Sequence, residues 1–124
     1  MSFEESLKSI SLPANADLSA KQYYAIEVAN SSGEGRAALA GDGEFIIGVL
    51  QNKPIAGEAA TVAISGVTKA AAGGTITAGN SVGVDANGKF VAAATGDRRV
   101  GVALMSAVSG DIFPLLISQL PAVA

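Results

Sequence analysis

The residues able to do chemistry in this chain are few, because it contains no histidine and no cysteine. The usual general base, the usual transition-metal ligands and the most reactive nucleophile are therefore absent. Carboxylates, hydroxyls, lysines and tyrosines remain. Asp42 with Glu44 has the composition of an acid–base pair, but Gly41 and Gly43 flank it as they would an exposed turn. Acid and base roles need pKa values shifted inside a pocket, which a solvated turn does not supply. Ser9 beside Lys8 and Thr68 beside Lys69 pair a hydroxyl with an amine, with no surrounding motif. Calcium needs clustered oxygen donors, whereas Asp42, Glu44, Asp85, Asp97 and Asp111 fall singly on different turns. Gly73-Gly74 and Ser32-Gly33-Glu34-Gly35 lack the spacing and the lysine of a phosphate loop. The expectation is a chain with no catalytic residue, no cofactor and no metal site, and not an enzyme.

Composition points to assembly. The 124 residues suit one domain; 49% are apolar and 15% charged, against about 25% charged in ordinary soluble domains. A small domain normally covers a large relative surface with charge. A shortage of charge suggests that other subunits cover part of it; an uncharged surface rich in Ala, Ser, Thr and Gly is the alternative. The net charge is −3, and Arg98-Arg99 is the one tight basic pair, so phosphate-backbone binding has no electrostatic footprint. Without cysteine, packing alone must hold the fold. Residues 1 to 20 carry Glu4, Glu5 and Asp17 and lack a long apolar run, and no stretch reaches membrane-span length. The expected location is the cytoplasm or a particle assembled there, with no nucleic-acid or membrane partner.

These features need a scaffold, and the pattern of the chain predicts a mostly β one. Ser2 and Glu5 fit a capping box, and Phe3, Leu7 and Ile10 follow at helical spacing until Pro13. So short a helix is stable only when docked, either on its own barrel or on a neighbouring subunit. Beyond Asn15, short apolar runs alternate with glycine-rich turns, as in a sandwich or small barrel. Strands are expected at 23 to 29, 45 to 50, 59 to 64, 81 to 85, 89 to 94, 99 to 106 and 111 to 118. Asn87-Gly88 marks a hairpin. Residues 30 to 43 read as a long hairpin or a mobile loop around a short Arg-Ala-Ala-Leu run. Pro114 cannot donate to a ladder, so the last strand is expected at an edge, or with that amide facing outward. One repeat is visible: Gly48-Val49, Gly57-Glu58 and Ile64 recur 53 residues later as Gly101-Val102, Gly110-Asp111 and Ile117. Ala78-Gly79-Asn80 is a weaker third copy of the turn.

Residues 76 to 85 (ITAGNSVGVD), Asn87-Gly88-Lys89, residues 95 to 104 (TGDRRVGVAL) and 109 to 117 (SGDIFPLLI) resemble the head decoration, or capsid cement, proteins of tailed bacteriophages. Residues 46 to 69 (IIGVLQNKPIAGEAATVAISGVTK) extend the resemblance. It implies a small β-barrel or β-tulip-like body that binds the major capsid protein on the outside of an expanded head, often as a homotrimer, and stabilises the shell. It carries no catalytic residues across. The chain divides into an N-terminal arm, helical or extended, over 1 to 20 and a β-barrel domain over 21 to 124. Its pattern offers Phe3, Leu7, Ile10 and Leu12 of the arm, with Tyr23 and Tyr24, as the residues that engage capsid or sister subunits. Other virion β-domains, such as a tail-tube or fibre-associated protein, share the composition. A ligand-binding β-domain would need aromatic platforms, and the six aromatic residues are scattered.

Overall fold

The structure is a computed structural model that describes residues 7–41, 45–94 and 98–120. The described residues form strands and turns and contain no helix. The strands are β1 (Lys8–Pro13), β2 (Ala25–Ser31), β3 (Glu34–Leu39), β4 (Gly48–Leu50), β5 (Ala59–Ala71), β6 (Ser81–Val84), β7 (Phe90–Ala92), β8 (Arg99–Ala103) and β9 (Ile112–Leu120). They build one antiparallel sheet in the order β3-β2-β4-β5-β9-β8-β6-β7, with β1 added to β5 off this path. The all-β expectation holds.

The structure decides between three pairs of alternatives. The helical reading of the arm is corrected over residues 8 to 13, which pair with β5 from Lys8↔Ser65 to Pro13↔Ala59. Ile10 and Leu12 alternate with Ser9 and Ser11, and this period of two decides the outcome, because a strand satisfies its backbone on β5 whereas a short helix has no partner. Ser2, Phe3 and Glu5 lie outside the described residues, as do Asp42, Glu44 and Asp97. Of the segment 30 to 43, the residues up to Leu39 take the hairpin form, β2 pairing with β3 from Ile26↔Leu39 to Ser31↔Glu34. Finally, β9 is not an edge strand, because it lies between β5 and β8. Pro114 fits there since its carbonyl accepts from the Leu104 amide just past the end of β8, so its missing donor faces no ladder partner.

The short glycine repeat of the sequence belongs to a duplication of the whole body. In the first half β2 pairs with β3, β2 with β4, β4 with the first half of β5, and that half of β5 with β1. The second half repeats every pairing, with β6, β7, β8, β9 and the second half of β5 in the corresponding roles. The registers match residue for residue: Ile26↔Leu39 becomes Val82↔Ala92, Val49↔Ala63 becomes Val102↔Leu116, and Leu12↔Ala60 becomes Ala70↔Phe113. Even the closing bridge recurs, as Ala14↔Ala37 and Ala72↔Phe90, so each five-stranded unit curls back towards its own first strand. β5 therefore ends one unit and begins the next, and Gly66, at φ +97°, stands at the join.

Each unit fills its own core. Ala14, Leu18, Ile26, Ala37, Leu50, Ala60 and Val62 pack the first, and the seven matching positions (Ala72, Ile76, Val82, Phe90, Ala103, Phe113 and Leu115) pack within the second. Bulk is exchanged between copies at constant pattern: Ala37 and Ala60 correspond to Phe90 and Phe113, while Leu50 and Leu12 correspond to Ala103 and Ala70. Close packing requires such compensation, since a void or an excess methylene is felt directly. Phe90 and Phe113 meet edge to face at 6.5 Å, a favoured aromatic geometry. The seam between the units is lined by Ala25, Ile46, Val49 and Ala63 of the first, which join the second core.

Gly48 and Gly101 occupy matching places where two strands approach too closely for a side chain. A Cβ on Gly48 would overlap the Ala63 carbonyl oxygen, and one on Gly101 the Leu116 carbonyl oxygen. At Gly74, by contrast, a Cβ would lie 3.6 Å from Val91, in ordinary contact. Gly48→Ala and Gly101→Ala are expected to destabilise the fold by about 1–3 kcal/mol each, through forced strand separation, and Gly74→Ala by less than about 0.5 kcal/mol. Urea unfolding of the three variants checks this, and equal midpoints would remove the close-approach account.

Candidate binding surface

The sequence-derived candidates separate once folded. Phe3 lies outside the described residues. Leu7 and Ile10 stay 40% and 39% exposed, whereas the half-buried Leu12 packs against the first core. Ile10 and Leu12 pair with the buried Val62 and Ala60, on one face of β1. Tyr23 is half-buried against the second core, and its carbonyl accepts from the Ala71 amide. The fold thus brings Tyr23 to the second unit although it belongs to the first, away from the β1 residues.

Tyr23 and Tyr24 anchor a further set of side chains. The Lys21 and Lys89 ammonium groups lie over the Tyr24 ring at 5.1 and 5.8 Å, and Lys69 lies over Tyr23 at 6.0 Å. Such contacts hold flexible lysine stems against ring faces. The Gly88 carbonyl accepts from the Ala25 amide, which carries Lys89 to Tyr24, while the Asp85 carboxylate shapes that hairpin by accepting from the Asn87 and Lys89 amides. Beside Tyr23 opens a groove of about 670 Å³, lined by Lys69, Met105, Ile112, Phe113 and Pro114 among others. Met105 and Ile112 are 52% and 51% exposed and line the same groove, so their apolar surface is contiguous there.

The duplication supplies an internal comparison for this groove. Its outward positions Lys69, Met105, Ile112 and Pro114 correspond to Ser11, Asn52, Ala59 and Thr61 in the first unit. There the surface is polar and self-satisfied: Asn52 accepts from the Thr61 amide and donates to the Ala59 carbonyl. Pro114 has no amide to satisfy, so the second unit needs no such bracket and presents apolar atoms instead. A second difference lies at Tyr23, which has φ 72° where the matching Gly79 has φ +88°. Glycine takes this conformation freely and a tyrosine does not, so the aromatic ring is held there at a cost in backbone strain. The sequence repeat pointed to the turns at Gly57 and Gly110, and there it is sound. Ala78-Gly79-Asn80, read as a third copy of that turn, instead matches Gln22-Tyr23-Tyr24.

The remaining chemistry-bearing groups are structural in their contacts. The buried Thr68 hydroxyl accepts from Gln51 Nε2 at 2.7 Å and donates to the Lys69 carbonyl. Asp17, fully exposed, is held below the usual carboxylate pKa by the Ser19 backbone N–H it accepts from. Among the described residues no group of three or more carboxylates converges. Sequence reasoning missed Lys21, Lys69, Lys89, Met105 and Ile112; their signal was the mismatch between repeats, visible only after the full register is known.

Comparison with known proteins agrees with this architecture. The profile of the phage cement proteins matches residues 5–116, and the chain belongs to that family. It is accordingly a capsid-binding structural protein of the virion, on the capsid exterior. Among solved structures, the N base of head fiber gp8.5 of bacteriophage phi29 shares the fold at a TM-score of 0.73 and 18% identity, covering 93% of this chain and 98% of that one. A search of curated proteins gave no match.

The strain at Tyr23 is testable apart from any partner. Tyr23→Gly and Tyr23→Ala both remove the ring, but only alanine keeps the positive-φ penalty, so the glycine variant should be the more stable by about 1 kcal/mol. Thermal or urea unfolding of the pair decides this; an alanine variant of equal or greater stability would contradict the strained backbone.

Proposed function

We propose that this protein is a cement protein that binds the outer surface of the expanded head, engages the major capsid protein, and stabilises the shell without catalysing a reaction. The family match over residues 5–116 carries this reading. The docking residues in this reading are the exposed Leu7 and Ile10, with Phe3 and Leu12 of the same segment, and Tyr23 with Tyr24. Their separation on the fold suits attachment by several weak contacts. Repetition over a homotrimer would raise overall affinity without one strong site, since tethered second contacts form intramolecularly. The low charge of the surface is consistent with sister subunits covering part of it.

The fold shared with a head fiber base favours a second reading, in which the body is a fibre-associated base fixed to the head. Copy number separates the two, because decoration saturates a repeated lattice position whereas a fibre base occupies a restricted set of positions.

Purified protein mixed with empty expanded and unexpanded heads should co-sediment with expanded heads alone and saturate at a fixed copy number. Sedimentation of the free protein should give the trimer mass. Leu7→Ser with Ile10→Ser should weaken binding about tenfold or more while leaving the melting temperature nearly unchanged, because both side chains are exposed. Point substitutions are preferred to truncation here, since residues 8 to 13 complete the first unit. Equal binding to both head forms, or none, would overturn the cement reading.

A further inference from the structure

We infer that the Tyr23-Tyr24 face receives an acidic segment of the capsid shell, its carboxylates meeting Lys21, Lys69 and Lys89 and an apolar side chain of the same segment entering the groove beside Tyr23. This rests on the capsid-binding reading and names the chemistry of the partner.

Charge is the first argument. The chain carries five lysines, and three of them gather over two consecutive tyrosines in a protein of net charge −3. None of the three ammonium groups pairs with a carboxylate among the described residues, where the ion pair formed is Arg36 with Glu34. The carboxylates on adjoining turns are engaged: Asp85 accepts from the Asn87 and Lys89 amides, and Asp111 accepts from the Val108 amide. Three positive charges are thus held in place by ring faces and have no carboxylate partner among the described residues.

The groove then selects between anionic partners. Its exposed Met105 and Ile112 beside Pro114 call for an apolar side chain, which neither a nucleic-acid backbone nor a phosphate ion has. The ammonium groups are spread over two rings instead of converging on one point, which suits separate carboxylates along a peptide better than one phosphate. The matching face of the first unit has Ser11, Asn52, Ala59 and Thr61 and a smaller groove of about 210 Å³ with no lysine in its lining, so the wide, lysine-edged apolar groove belongs to one copy.

The test uses the full chain and isolated expanded heads over a series of salt concentrations. Wild-type binding should weaken steeply with salt. The triple variant K21Q/K69Q/K89Q should bind at least about tenfold more weakly at low salt and with a flatter salt dependence, while the corresponding Lys→Arg variant keeps both. Polyglutamate should compete with heads more effectively than duplex DNA of equal charge concentration. Should the triple variant misfold by circular dichroism, the three single Lys→Gln variants repeat the test, each with a smaller loss. A folded glutamine variant that binds with wild-type affinity and salt dependence overturns this inference and leaves the cement reading intact, as does DNA competing as well as polyglutamate. A wild-type chain that binds no head form overturns the cement reading and this inference together.

Discussion

Strand β5 is the element on which the rest depends. Its first half closes one five-stranded unit and its second half opens the next, so a single continuous backbone sets the register of both. With neither disulfide nor metal-binding cysteine to fix them, the units are held by ladders and packing alone. The close approaches at Gly48 against Ala63 and Gly101 against Leu116 then lock each unit's third ladder to β5 and β9. A shift of one residue in β5 would turn the apolar faces of both units outward together.

Duplication also explains where the molecule is free to vary. Core bulk is redistributed between the copies, with phenylalanines in one unit matched by alanines in the other and leucines moving the opposite way. Outward positions are under no such constraint, and there the copies diverge: a self-bonded polar surface around Asn52 in one, an apolar groove beside Pro114 in the other. Tyr23 marks the same divergence in the backbone, keeping a strained conformation that its counterpart meets with glycine. Divergence on the surface of a conserved scaffold is where binding function is expected to reside.

Much of this was legible in the sequence. Short apolar runs between glycine-rich turns located β2, β4, the first half of β5 and β6 to β9, Asn87-Gly88 located a hairpin, and the glycine repeat was the visible fragment of the duplication. The rest was not, for physical reasons. Phe3, Leu7 and Ile10 have helical spacing while Ile10 and Leu12 alternate as in a strand, and the pairing that β5 offers goes with the strand. Pro114 signals an edge by its missing amide, yet a ladder that ends one residue earlier serves as well. Most of the fold repeats at one offset, but the first two strands are displaced by short length differences in the loops, which hid the match of Tyr23 with Gly79. Of the candidate residues, Tyr23 and Tyr24 stood out as aromatics in the sequence; the lysines around them did not, because they come from three separate segments.

The central claim is that a duplicated scaffold presents one of its two equivalent faces to the capsid. Hydrogen–deuterium exchange of the protein, free and bound to expanded heads, tests it most directly because the first unit serves as its own control. The account predicts added protection at residues 21 to 24, 67 to 69 and 112 to 114, and at 7 to 10 where Leu7 and Ile10 dock, with little change at the first-unit segments 52 to 53 and 59 to 61 that match the groove. Protection confined to those first-unit segments, or equal on both faces, would contradict it.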